Sequence, residues 1–318
     1  MYRPEIKVLD CTIRDGGLIN NWQFTDQFVQ NVFTACEVSG IDYVEIGYKS
    51  SAGMFSKDVV GKWKFCHEED LKKLIGKKKG KIKLSAMADI GRINYEDIPQ
   101  AKDSALDMIR VACYVKEIDK AIDLVKHITD KGYETTINIM AVSQAKDPEL
   151  NEALQQIGEE CKTKAVYVVD SFGSMYSEQI HYLVDKYKKY LNPKGIEVGI
   201  HAHNNLQLGF ANTIEAIIKG ANFMDATING IGRGAGNCPL ELLLGFLKNP
   251  KFNIVPILKI LQEDFLELRK EIEWGYIIPY VITGILNEHP RSAIKLRESA
   301  DKDKYAEFYQ SLIEDIKV

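Results

Sequence analysis

The chain has 318 residues, 45% of them hydrophobic, with 41 Lys and Arg against 45 Asp and Glu and a formal net charge of −4. This composition supplies a sizeable core and excludes a disordered or strongly nucleic-acid-binding chain. The main basic cluster, Lys77, Lys78 and Lys79 with Lys81 and Lys83, lacks interleaved aromatics and reads as a solvated turn.

In chain order, short apolar, β-branched runs fall at 6–11, 43–47, 83–88, 108–112, 135–141, 165–170, 197–200 and 223–228. Helical periodicity falls between them at 27–39, 117–131, 149–161, 177–190, 207–219 and 239–247. Runs such as 165–169 are apolar throughout, as strands of a parallel sheet buried on both faces must be. Eight β/α units in about 250 residues predict an α/β fold, a closed (β/α)8 TIM barrel over residues 1–250. An open doubly wound sheet is the competitor. Further helical patterns at 255–272, 275–287 and 301–316 predict a C-terminal helical subdomain over 251–318. No stretch approaches ~18 uninterrupted apolar residues, and the N-terminus lacks a signal-peptide core. Six scattered cysteines without a C-x-x-C pair read as reduced thiols. A cytoplasmic protein with no membrane partner is expected.

Active sites of such barrels lie at the C-terminal strand ends, so polar residues there carry information. Arg14 and Asp15, followed by Gly16 and Gly17, come directly after the first strand; they read either as a used loop or as a surface ion pair. Glu45 lies inside an apolar run, where a carboxylate must be paired, metal-bound or shifted in pKa. A salt bridge to Arg110, in the fourth strand, is compatible with any of these. His201 and His203 end the seventh strand; residues i and i+2 share a face, so both imidazoles can hold one ion. Asp15 is the obvious oxygen ligand, and such a set suits Mn²⁺, Mg²⁺ or Zn²⁺. The segment 229–239 loosely matches G-x-G-x-x-A, but a dinucleotide fingerprint opens the first βα unit, not the eighth. Its glycines more plausibly bring backbone N–H groups and Asn237 close to an anionic ligand.

Taken together, segments 10–16, 201–205 and 225–241 resemble the metal-dependent barrel lyases and synthases, the superfamily of hydroxymethylglutaryl-CoA lyase. The resemblance covers about residues 5–250. Segments 108–112, 169–171, 234–237 and 275–280 are most similar to the 4-hydroxy-2-oxovalerate aldolase branch. The resemblance implies a divalent ion, Mn²⁺ foremost, held by Asp15, His201 and His203 with Asn237 at or near it. It implies that Arg14 stabilises an enolate oxygen, and that Arg110, Ser171 and Asn237 contact a 2-oxo acid substrate. The aldolases' catalytic histidine is replaced here by Leu18, leaving Glu45, Tyr276 or Tyr280 to act as the base. Trp22 and Phe24 read as either lining the mouth or packing beneath it.

The expected reaction is reversible cleavage of a 4-hydroxy-2-oxo acid to pyruvate, or a related 2-oxo acid, and an aldehyde. Alternatives are Claisen-type condensation of acetyl-CoA with a 2-oxo acid, or a catalytically weak, partner-dependent subunit. A homo-oligomer is expected, and the resemblance implies C-terminal helices that can seat an aldehyde dehydrogenase.

Overall fold

The computed structural model describes residues 2–56, 58–76 and 80–317. The cluster Lys77–Lys79 lies outside them. Eight parallel strands close into a barrel in sequence order: β1 (Lys7–Asp10), β2 (Tyr43–Tyr48), β3 (Lys83–Asp89), β4 (Met108–Cys113), β5 (Glu134–Ile139), β6 (Ala165–Asp170), β7 (Glu197–Ala202) and β8 (Phe223–Ala226). The seam is made by β8 against β1, with Leu9 opposite Asp225. The open-sheet alternative is excluded.

The outer ring comprises α1 (Thr12–Asn20), α2 (Asp26–Val38), α3 (Glu68–Ile75), α4 (Ile118–Asp130), α5 (Asp147–Glu160), α6 (Ser177–Leu191), α7 (Gly209–Lys219) and α8 (Leu240–Leu247). Helix α4 illustrates the pattern: Ala121, Ile122, Val125 and Ile128 recur at helical spacing, and all are buried. Helix α2 starts where the Thr25 hydroxyl accepts a hydrogen bond from the Phe28 amide at 3.1 Å.

Two of these helices differ from the sequence expectation. Segment 68–75 is too short and charged to stand out. Segment 12–20 reads as a glycine loop but is helical; Gly17 is there for close packing, since a Cβ would overlap the indole of Trp22. Trp22 is itself buried and donates from Nε1 to the Arg14 carbonyl at 3.0 Å, and Phe24 stacks on Phe28. Both pack beneath the mouth.

The barrel interior is layered. Tyr43, Tyr167 and Phe223 close the lower end. Above them the Arg110 guanidinium lies 4.3 Å from the Tyr167 ring. The C-terminal region continues as α9 (Val255–Ile260), a π-helical turn (Leu261–Phe265), α10 (Leu266–Glu271), α11 (Ile278–Ile285), α12 (Arg291–Arg297) and α13 (Tyr305–Lys317). Its first part joins the barrel's own core through Ile257, Ile260, Phe265 and Trp274, whereas Tyr280, Ile282, Ala293 and Phe308 make a smaller core around Ala235. Among the described residues no helix is long and apolar enough to cross a membrane. All six cysteines are buried and unpaired.

Candidate metal centre and cleft

Asp15 sits in the first turn of α1, which follows β1 directly. His201 is the fifth residue of β7, and His203 lies just past the strand, bridged to Asn237. The three side chains converge: His201 Nε2 is 3.1 Å and His203 Nε2 3.9 Å from Asp15 Oδ2. One donor atom from each lies within 4.8 Å of the others, and all three residues are buried.

Burial alone would raise the Asp15 carboxyl, but Arg14 and the two imidazoles hold it well below the usual range. Burial pushes His203 down to about 3, so its ring is neutral, the form a cation requires. The fit to a divalent cation rests on this oxygen-and-imidazole set and on a neighbouring orphan. Asn237 donates from Nδ2 to the Ile231 carbonyl, leaving its buried Oδ1 without a partner. Gly232 makes room for both groups: a Cβ there would overlap Asn237 Nδ2 and lie 2.9 Å from Asp15 Oδ1.

Behind Asp15, His201 and His203 runs a buried charge network. His201 Nδ1 meets Asp225 Oδ2 at 2.9 Å, and Arg110 donates to that same oxygen at 2.7 Å. Arg110 also donates to Glu45 Oε2 at 3.1 Å, and Arg14 Nε donates to that atom at 2.7 Å. Asp225 thus orients His201, and this carboxylate–histidine support is one that would present Nε2 to an ion. Asp225→Asn is expected to weaken Mn²⁺ binding by about 10- to 100-fold and, because it also takes a carboxylate from buried Arg110, to lower Tm. Competition against a fluorescent chelator measures this, and unchanged affinity would remove Asp225 from that role.

The network holds two of the residues expected at the site. Arg110, expected to bind substrate, is fully buried at mid-barrel, and Glu45, Asp225 and Thr136 occupy its guanidinium. Glu45, expected to catalyse, lies outside the cleft lining and anchors the two arginines instead. Tyr276 is 67% exposed and is not among the residues lining the cleft. Tyr280 is buried, with its hydroxyl accepting from Arg297 at 2.9 Å.

Above Asp15, His201 and His203 opens a cleft. Its charged and polar lining comprises Arg14, Asp15, Ser171, His201, His203, Arg233 and His289, with Tyr48, Tyr114 and Asn138. Leu18, Met87, Ala112 and Met140 contribute apolar lining. Ser171 Oγ accepts from the Ala141 amide at 2.8 Å, which leaves its O–H free to donate. Arg233 spans the rim: its amide donates to Asp15 Oδ1 at 3.0 Å and its guanidinium to the Ser171 carbonyl at 2.7 Å. The sequence reading missed Arg233 and His289. Arg233 lies inside the flagged glycine segment, whereas nothing in the local sequence marks His289, which arrives from the C-terminal helices.

A closed (β/α)8 barrel with an Asp–His–His set and an arginine at its mouth has the form of a barrel enzyme able to hold a divalent ion. The chain belongs to the HMGL-like family, whose model matches residues 5–260, and it is a carbon–carbon lyase. It is 31% identical over 245 residues to oxaloacetate decarboxylase of Mycobacterium tuberculosis, covering 76% of this chain and 69% of that one. It is 29% identical over 259 residues to 4-hydroxy-2-oxovalerate aldolase of Pelotomaculum thermopropionicum, covering 81% and 75%. Among solved structures, the N-terminal domain of a "putative aldolase" from Bacteroides vulgatus superposes with a TM-score of 0.78 at 31% identity, over 92% of this chain and 97% of that one. Hydroxymethylglutaryl-CoA lyase from Pseudomonas aeruginosa, at 14% identity and a TM-score of 0.66 over 83% and 93%, shares the fold.

Proposed function

We propose that this enzyme reversibly cleaves a 4-hydroxy-2-oxo acid to pyruvate, or a related 2-oxo acid, and an aldehyde. The observation that carries this reading is the juxtaposition, in one cleft, of the Asp15–His201–His203 set with Arg14. A divalent ion, Mn²⁺ in this reading, would be held by those three residues with Asn237 Oδ1 beside them, and would supply Lewis-acid stabilisation of a developing enolate.

The chain's own groups define the rest. Arg14 is clamped through Nε by Glu45 and through NH1 by Asp15, while its NH2 is buried without a partner. That free donor is already in place for an oxygen on which negative charge develops. Ser171 offers its O–H, and Arg233 its positive charge, to the substrate carboxylate. The Leu18, Met87 and Met140 wall receives the apolar part of the aldehyde.

The similarity to an oxaloacetate decarboxylase supports a second reading. There the bond from C3 to the departing carboxylate breaks, CO₂ leaves, and the electron pair remains on C3 as the same enolate.

Deuterium exchange into the pyruvate methyl group, followed by NMR, tests the shared step with Mn²⁺-loaded, Mg²⁺-loaded and chelator-stripped protein. Metal-dependent exchange is expected. Turnover of 4-hydroxy-2-oxopentanoate and of oxaloacetate then separates the two readings. No exchange in metal-loaded protein would overturn both, favouring acetyl-CoA condensation or a partner-dependent subunit.

A further inference from the structure

Cleavage needs a group at the oxygen of the aldehyde half, and Leu18 cannot provide one. Among the described cleft residues outside the metal set and its Arg14, the side chains able to donate or accept a proton are Tyr48, Tyr114, Asn138, Ser171, Arg233 and His289. Burial pushes the Tyr48 phenol upward. Arg233 is tied to the Ser171 carbonyl and to Asp15, and both side chains are assigned above to the substrate carboxylate.

His289 is different because it is delivered by a latched loop. Asn287, in the left-handed region at φ 52°, accepts through Oδ1 from the hydroxyls of Ser143 and Ser174, each at 2.7 Å. Its carbonyl accepts from Gln144 Nε2 at 2.9 Å. The loop between α11 and α12 is thereby fastened to the loops after β5 and β6. The His289 ring meets Phe172 edge-to-face, with centroids 5.7 Å apart. Its Nδ1 accepts a hydrogen bond from the Arg291 amide at 3.1 Å. A nitrogen that accepts from a backbone N–H carries no proton, so the neutral ring bears its proton on Nε2, the nitrogen left for a ligand.

We propose that His289 is a neutral hydrogen-bond donor, through Nε2–H, to the C4 oxygen of the substrate, and that Asn287 is the residue that positions it. This rests on the aldolase reading above. In cleavage the C4 hydroxyl proton passes to water, the freed oxygen pair forms the aldehyde C=O, the C3–C4 electron pair passes to C3 as the enolate, and water returns a proton to C3. His289 stabilises the oxygen while it bears negative charge and returns unchanged; in the addition direction it polarises the aldehyde carbonyl. The groups facing the ring support a neutral state. Burial, then Arg233 from the loop after β8 and Arg291 on its own segment, hold it down to about 4.

The test compares wild type, His289→Phe, His289→Gln and Asn287→Ala, all Mn²⁺-loaded, with 4-hydroxy-2-oxopentanoate as probe. His289→Phe is expected to lower kcat for cleavage by about 100-fold, the order of one lost donor to a developing oxyanion. Pyruvate methyl exchange, which involves no C4 oxygen, stays near wild type. Glutamine restores a donor without a titrating ring and recovers a substantial part of the loss, and Asn287→Ala falls between. Cleavage by His289→Phe within about threefold of wild type would overturn the proposal. So would a glutamine variant as slow as phenylalanine together with a near-neutral limb in the wild-type pH profile, since both mark a general base.

A second readout does not depend on turnover. The chain has six histidines, and ¹⁵N shifts assigned by loss in His289→Phe report the ring's tautomer at neutral pH. Nε2–H is expected; a protonated ring or Nδ1–H refutes the donor even if the substrate proves to be another. Wild type that shows Nε2–H but neither exchange nor cleavage would instead count against the aldolase reading, and with it the donor role.

Discussion

Replacing His203 with alanine is expected to give a folded barrel that no longer retains a divalent ion and turns over at least about 10³-fold more slowly. The magnitude follows from the several kcal/mol that a Lewis acid supplies to a developing enolate, at 1.36 kcal/mol per tenfold. His203 is the cleanest of the three positions to remove. Asp15 neutralises Arg14 and meets His201, so its loss would strand buried charge. His201 is tied to Asp225 as well as to Asp15. The His203 side chain, neutral and meeting Asp15 only at 3.9 Å, leaves neither an uncompensated charge nor a broken short bond. Metal content after gel filtration and Tm with and without Mn²⁺ are the measurements. Wild type should gain about 2.7 kcal/mol at a hundredfold excess over Kd, and the variant almost nothing. Stoichiometric metal and full turnover in the variant would remove this donor set from the mechanism.

The legible part of this site was set by strand geometry. Parallel strands buried on both faces announce themselves as apolar runs, and the period of two puts His201 and His203 on one face whatever the rest of the fold does. Asp15 was visible because an Arg-Asp pair followed by two glycines comes directly after an apolar strand. Depth along the barrel axis was not visible. Glu45 and Arg110 are each third in a six-residue strand, and their register leaves them at mid-barrel, beneath the mouth where substrate must enter. A sequence shows that such side chains point inward but not which layer they join, because layer depends on the stagger between strands. Gly16 and Gly17 misled for a related reason: they permit close packing inside a helix, a tertiary requirement that looks locally like a loop. His289 was hidden most thoroughly. Its role comes from the latch at Asn287, which depends on Ser143, Gln144 and Ser174 far away in the chain.

The buried network gives the second large expectation: Arg110→Met should lower stability by about 3–5 kcal/mol, because removing one partner leaves charge uncompensated in the interior. At about 2–4 °C per kcal/mol for large domains, Tm should fall by roughly 6–20 °C. Arg14 still meets Glu45, and His201 still meets Asp225, so the barrel should fold. The sign of the pH dependence identifies the cause. Burial by itself would raise Asp225, and Arg110 followed by His201 keeps it below the ordinary carboxylate range. That contribution to wild-type stability is present above the unfolded-state pKa and is lost as pH falls through the folded one. In Arg110→Met the carboxylate's pKa rises above its unfolded value, so the native state binds the extra proton and the variant gains stability as pH falls. The Tm gap between the two proteins should therefore narrow from about pH 7 to about pH 5. Adding Glu45→Gln and Asp225→Asn to Arg110→Met should recover part of the lost Tm at neutral pH, since no buried charge is then left unpaired; it should not recover metal affinity, because His201 has lost its carboxylate support. A Tm within about 2 °C of wild type, or a gap that widens on acidification, would mean that the arginine is not what holds these carboxylates ionised.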